Sequence, residues 1–300
     1  MVGRQGGPER PPVGRPLIGM PLSTYMNWLT LEGLAEPPQG WLKAIHQSGY
    51  DGVQFIEPLT TPLVDAARTI GLRVCGSGRV NEPPDAARLA AQARAADLEC
   101  LTLHVGWGNE EETQASRLIE AVLEATVRYS VPLYVETHRA TIFQDTWRTV
   151  SFIRRFPELR FNMDFSNWYT GLEFVYGDFD AKVAFIQPVI ERTSFMHGRI
   201  GNPCVMQVDV GSFEQSGQLP FVRHFRTLWT KVFESFLQRE DGESRFRFAP
   251  ELLSSRIYYA QQRNGKEESD RWAQSLVLVQ IARDCFHQCA PKPVNLLGAR

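Results

Sequence analysis

Val131-Pro-Leu-Tyr-Val-Glu-Thr-His-Arg139 joins an apolar, β-rich run directly to a carboxylate, a hydroxyl, an imidazole and a guanidinium. A short apolar run that stops at turn signals reads as a buried parallel strand. Polar groups at the end of such a strand are what a functional site at the C-terminal mouth of a parallel β/α array requires. The pattern recurs downstream at Phe161-Asn-Met-Asp164, Ser194-Phe-Met-His197 and Phe246-Arg-Phe-Ala-Pro-Glu251. Each is a strand candidate that ends on a metal ligand or acid/base group.

Outward from these four, strand-like and helix-like segments alternate from about residue 17. Leu17 to Thr24 reads as a first strand, followed by a helix from about Pro38 with Gly49 at its C-terminal cap. Gly52 to Glu57 is the second strand. Thr61-Pro62 opens a helix, hydroxyl at the N-cap and proline at the first helical position, that ends at Gly71. Leu72 to Gly76 is a short third strand, the Ala-rich Pro84 to Asp97 a helix, and Cys100 to Gly106 the fourth strand. Helices near Glu111 to Tyr129, Phe143 to Arg155, Asp180 to Glu191, Leu219 to Gln238 and Glu267 to His287 separate or follow the remaining strands, with Pro188 expected to kink or shorten its helix. Gly201 to Gly217 is a long polar loop.

Eight βα units without an internal break predict a single-domain (β/α)8 TIM barrel over residues 17–290, with 1–16 a Gly/Pro/Arg-rich disordered lead-in and 291–300 a tail. An open doubly wound sheet is the rival. Neighbouring strands lie ~4.8 Å apart, so residues on four successive strands of an open sheet would spread over roughly 14 Å. Metal ligands must come within ~2.3 Å of one ion. Only a closed barrel gathers the ends of strands five to eight around one point.

A 300-residue chain with 43% hydrophobic and 22% charged residues can bury a sizeable core. Its net charge, 32 − 34 = −2, carries no footprint for nucleic acid or an anionic membrane, and no apolar run reaches the roughly 20 residues of a membrane span. Cys75, Cys100, Cys204, Cys285 and Cys289 form no CxxC pair, and no apolar leader precedes the barrel, so a reduced, cytoplasmic setting is expected.

Glu136, Asp164, His197 and Glu251 are three carboxylates and an imidazole, each at a predicted strand end. Hard oxygen donors with one nitrogen suit Mn2+ best, with Mg2+, Co2+ or Zn2+ as alternatives. Without a cation, three converging carboxylates repel and one must take up a proton. For any one residue alone, a hydrogen-bonded strand-end group is the rival account; four of four strand ends favour a shared ion.

In this order, the residues resemble the xylose-isomerase-like barrel superfamily of sugar isomerases and epimerases. Glu136-Thr-His-Arg139, Met163-Asp-Phe-Ser-Asn167 and Met196-His-Gly-Arg-Ile-Gly201 are similar to its sugar phosphate isomerase/epimerase members, over about residues 17–285. The resemblance implies that Glu136, Asp164, His197 and Glu251 hold a divalent ion. It further implies that Glu136 and Glu251 are an acid/base pair moving a proton next to the carbonyl of a sugar or polyol, through a metal-stabilised enediolate. Two positions depart from ketose 3-epimerases: Asn167 stands where they carry a second histidine, and Gly198-Arg-Ile-Gly-Asn202 replaces their acidic or polar run.

Other candidates have plain structural rivals. His104 and His138 suit substrate hydroxyls or a satisfied strand end. Glu57 suits the substrate or a salt bridge to Arg79 or Arg139. Arg139 and Arg199 suit a substrate phosphate or carboxylate, or an ion pair with the same carboxylates. Trp107 and Trp168 suit a sugar face or simple cover of the mouth. Asn167 joins the substrate-binding set through the resemblance. A small-molecule sugar or polyol is the expected partner, with a homodimer or homotetramer possible. The competing functions are a dehydratase of the keto-inositol type, an endonuclease IV-like hydrolase and a non-catalytic sugar-binding barrel. The DNA-repair enzymes use three zincs and many histidines, which a chain with six histidines and a net charge of −2 does not match.

Overall fold

The computed structural model describes residues 22–34, 38–59 and 62–289. The lead-in, the tail and the Leu17 to Pro21 part of the first predicted strand lie outside them, as does the Thr61 cap. Eight parallel strands close into a barrel in sequence order: β1 (Leu22–Asn27), β2 (Gly52–Ile56), β3 (Arg73–Val80), β4 (Leu101–Val105), β5 (Leu133–Glu136), β6 (Phe161–Met163), β7 (Thr193–Gly198) and β8 (Phe246–Pro250). β8 returns to β1 through Leu22↔Phe246 and Thr24↔Phe248. The helices α1 (Pro38–Gln47), α2 (Pro62–Thr69), α3 (Pro83–Ala95), α4 (Glu112–Tyr129), α5 (Thr146–Arg155), α6 (Phe165–Gly171), α7 (Phe179–Phe185), α8 (Gln187–Ile190), α9 (Phe213–Ser216), α10 (Pro220–Leu237) and α11 (Arg271–Cys289) complete the chain.

The stretch expected as the long loop Gly201 to Gly217 carries the short α9, and α6 was not expected after β6; three further differences have direct physical reasons. β3 runs on through Gly76-Ser-Gly-Arg-Val80, because its glycines leave room for neighbours: a Cβ on Gly76 would lie 2.7 Å from Leu59 and 2.8 Å from Leu101. Pro188 divides the expected helix into α7 and α8, as its missing N–H and ring demand. After Glu251 the chain forms a 3-10 turn (Ser255–Ile257) and a small hairpin, Gln262–Arg263 with Lys266–Glu267, so the last helix, expected from about Glu267, begins at Arg271.

Alternation within the strands sorts the barrel interior into layers. Side chains two apart share a face, so Thr102 and His104 follow one another up β4 just after Cys100, Tyr134 and Glu136 up β5, and Phe195 and His197 along β7 with Arg199 one residue past its end. Tyr25, Cys75, Cys100, Tyr134, Phe195 and Ala249 form a cluster separate from the larger core between strands and helices. Above them lies a buried polar layer in which Gln54 donates to Thr102 (3.1 Å), Asn162 donates to Thr102 (3.2 Å) and Asn27 donates to Gln54 (3.0 Å). The candidate site stands on this layer.

Gly198, between His197 and Arg199, faces the other way, and a Cβ there would overlap the buried Phe248 ring on β8. Gly198→Ala is expected to cost about 1–3 kcal/mol by overpacking, read as an earlier midpoint in urea unfolding; an unchanged midpoint would show that β7 shifts without penalty.

Candidate metal centre

Strand register places the four predicted ligands together. Glu136 ends β5, Asp164 follows β6 as the N-cap of α6, His197 lies in β7, and Glu251 follows β8. All are buried, and one ligand atom from each lies within 4.8 Å of the others. His197 Nδ1 stands 3.2 Å from Glu136 Oε1 and 3.6 Å from Glu251 Oε1.

Second-layer contacts orient these groups. His197 Nε2 donates to Gln54 Oε1 at 2.9 Å, since an amide oxygen only accepts, and this turns Nδ1 toward the carboxylates. Asn27 donates to Glu251 Oε1 at 3.2 Å. Asp164 Oδ1 accepts from the Ser166 amide (2.9 Å) and hydroxyl (2.6 Å). Asn27, Gln54 and Ser166 escaped the sequence reading; the signal for the first two was a lone amide at the end of, or inside, an otherwise apolar run.

Of the two readings of Arg199, the ion pair with the same carboxylates is the one seen, and it is made from inside the cluster because the alternation of β7 carries one residue past its end at Gly198. Its side chain is 0% exposed; Nη2 pairs with Asp164 Oδ2 and lies 3.2 Å from Glu251 Oε2, while Nε donates to Ser166 Oγ at 2.9 Å. The guanidinium therefore neutralises one corner of the carboxylate set.

The opposite corner fits a divalent cation. Glu136 Oε1 and His197 Nδ1 are buried, face each other at 3.2 Å and make no other hydrogen bond among the described residues, so this corner is rich in charge and poor in partners. Burial would raise the Glu136 carboxyl, but His197 and His104 outweigh it and hold it well below the usual range. Burial also raises Glu251, and Glu136 and Asp164 add to this against His197 and Arg199. Burial pulls His197 down, yet Glu136 and Glu251 push it up to about 9. The corner thus attracts positive charge at Nδ1, where a metal would take the proton's place. Oxygen donors with one imidazole match Mg2+ or Mn2+.

The remaining candidates are spread around the mouth. His104 Nε2 lies 3.2 Å from Glu136 Oε2, and His138 stacks on His104 with ring centroids 4.2 Å apart. Burial, reinforced by His104, pushes His138 down to about 4. Asn167 Oδ1 accepts from the Arg139 amide at 3.1 Å, while its buried Nδ2 has no partner among the described residues. Exposed Arg139 and buried Arg199 both lie 4.9 Å from the Tyr259 ring centroid, which the sequence reading did not single out. Trp107 is 55% exposed with Arg79 over its ring, whereas Trp168 is fully buried and donates to the Phe143 carbonyl, so it packs rather than lines the mouth. Glu57 pairs with Arg88 at 2.7 Å, not with Arg79 or Arg139 as envisaged, because the first turns of α3 carry Arg88 past the end of β2.

No helix among the described residues is long and apolar enough to cross a membrane. No protein family and no curated protein sequence matches the chain. Solved structures do. A xylose isomerase-like TIM barrel protein from Mycobacterium smegmatis in complex with magnesium superposes with a TM-score of 0.54 at 14% identity, covering 89% of this chain and 98% of that one. The probable 3-DHS dehydratase AsbF from Bacillus anthracis gives 0.55 at 12%, covering 87% and 97%. Endonuclease IV from Thermus thermophilus gives 0.50 at 15%, covering 89% and 99%. These solved structures, one of them described as a xylose isomerase-like TIM barrel protein, share with this chain its fold, the closed eight-stranded (β/α)8 barrel.

Proposed function

We propose that the chain is a divalent-metal-dependent isomerase or epimerase of a sugar or polyol-derived carbonyl compound. The observation that carries this reading is the convergence of Glu136, Asp164, His197 and Glu251 within 4.8 Å, with Glu136 Oε1 and His197 Nδ1 buried and facing each other at 3.2 Å. These four residues would hold the ion, with Mn2+ the best match to their donors. When bound, the ion would polarise a substrate carbonyl. Glu136, kept ionised by its histidine neighbours, is suited to remove a proton from the adjacent carbon, and Glu251, whose carboxyl holds a proton more readily, to return one. The Asn167 amide, His138 and Arg139 would receive substrate oxygens.

The first test is metal content of protein purified without chelator. About one divalent ion per chain is expected, and Glu136→Gln, Asp164→Asn and His197→Ala should each lower it. No metal in the parent, even after incubation with Mn2+ and dialysis, would sink the reading. Ketoses, keto-inositols and their phosphates can then be screened in deuterated solvent. Deuterium at the carbon beside the carbonyl supports proton transfer, whereas an enone absorbance assigns a dehydratase. On an identified substrate, Glu136→Gln should lower turnover about 10²- to 10⁴-fold.

A further inference from the structure

A second group of potential ligand atoms lies beside the first: His104, Glu136 and His138 each offer one atom, all within 4.8 Å of one another. Glu136 belongs to both groups, so proximity alone would admit two ions sharing it. Arg79 argues against that. Its Nη1 donates to the Gly106 carbonyl at 2.7 Å, its Nη2 lies 3.3 Å from His104 Nδ1, and its plane rests 4.3 Å from the Trp107 ring centroid. A guanidinium has N–H donors and no acceptor, so this contact requires a lone pair on His104 Nδ1. The ring proton then sits on Nε2, where Glu136 Oε2 accepts it at 3.2 Å. Both ring nitrogens are committed. To ligate through Nε2, the ring would have to move its proton to Nδ1, against the guanidinium; to ligate through Nδ1, it would have to displace Arg79. Either way the ion would stand close to a fixed positive charge.

We propose that Arg79 is a positioning residue: it holds His104 as an Nε2–H donor that orients Glu136, and it bars a second metal ion from His104, Glu136 and His138. This rests on Glu136 being a ligand and base, as above, and divides the work of its carboxylate. Oε2 takes the hydrogen bond from His104, and Oε1 stays directed at His197.

The tautomer can be read directly from the ring 15N shifts of His104 in EDTA-treated protein labelled at histidine, assigned by the signals lost in His104→Gln. A single form protonated on Nε2 is expected; a ring protonated on Nδ1 overturns the proposal. Zn2+ titration then tests the barrier. In the parent, His104 and His138 should show no ligand shifts, while Arg79→Met should bind one more Zn2+ per chain and shift both rings. Ligand shifts of His104 in the parent, or Arg79→Met binding no more Zn2+ than the parent, overturn it. Arg79→Lys retains a cationic donor and should restore the parent stoichiometry; behaviour like the Met variant also overturns it. The tautomer is read without metal or substrate, so its failure is separable from failure of the isomerase reading: an Nε2–H ring in a chain without turnover would remove only the latter.

Discussion

Arg199→Met, stripped of metal with EDTA, is expected to be less stable than the parent by about 3–5 kcal/mol, the cost of removing one partner from a buried ion pair. The guanidinium is fully buried and touches Asp164, Glu251 and the Ser166 hydroxyl, so its loss leaves two carboxylates facing each other with Glu136 close by. One of them must then take up a proton or the cluster must open. Divalent metal should reverse the loss. A cation bound only by the folded state stabilises by RT ln(1 + [L]/Kd), and in the variant it meets the same three carboxylates without a competing positive charge. Urea midpoints of parent and variant, in EDTA and in excess Mn2+, give the four values needed. The expected pattern is a large gap in EDTA that narrows in Mn2+. Equal midpoints in EDTA would mean that the guanidinium contributes nothing net, and a gap unchanged by Mn2+ would mean that no ion binds beside Asp164 and Glu251.

Arg199 also marks where the sequence could and could not be read. The order of strands and helices was legible, because each buried strand is a short apolar run and each helix start carries caps or prolines that act locally. The convergence of Glu136, Asp164, His197 and Glu251 was legible too, since closing the barrel leaves strand ends five to eight no other arrangement. What failed was direction. Arg199 looked like a loop residue because β7 seemed to end at His197; continued alternation turns its side chain inward. Gln54 lay unremarked within the second predicted strand and Asn27 beyond the end of the first, although they set the His197 ring and touch Glu251. Glu57 sits at a strand end equivalent to Glu136, but pairs with Arg88 of α3, a helix whose angle on the barrel no local pattern specifies. Tyr259 comes to the two arginines through the turn after β8, which carries no periodic signal.

The same substitution at the other end of the barrel should behave differently. Arg247 enters the interior two layers below Glu251, its side chain 11% exposed, with Nη1 2.9 Å from Glu243 Oε1 and Nε 3.6 Å from Glu99 Oε2. The Tyr25 and Tyr134 hydroxyls donate to these two carboxylates at 2.5 Å each, and burial first of all raises both tyrosines, so they stay protonated donors. Glu99 keeps Arg73 and Glu243 keeps Arg239 when Arg247 is removed, so Arg247→Met is expected to cost about 3 kcal/mol, the low end for a broken buried pair. Part of that is the packing of its aliphatic stem. Arg247 and Glu251 are four residues apart on one strand, roughly 13 Å, and no ligand of the candidate centre touches the lower network. Mn2+ should therefore raise the midpoints of Arg247→Met and parent equally. Distant sites add within ~0.5 kcal/mol, so the Arg199→Met/Arg247→Met double variant in EDTA should lose the sum of the single losses. A double variant well short of that sum, or an Arg247→Met protein that Mn2+ rescues selectively, would mean that the two ends of the barrel are coupled. Additivity would assign the lower network to stability and the upper one to the metal.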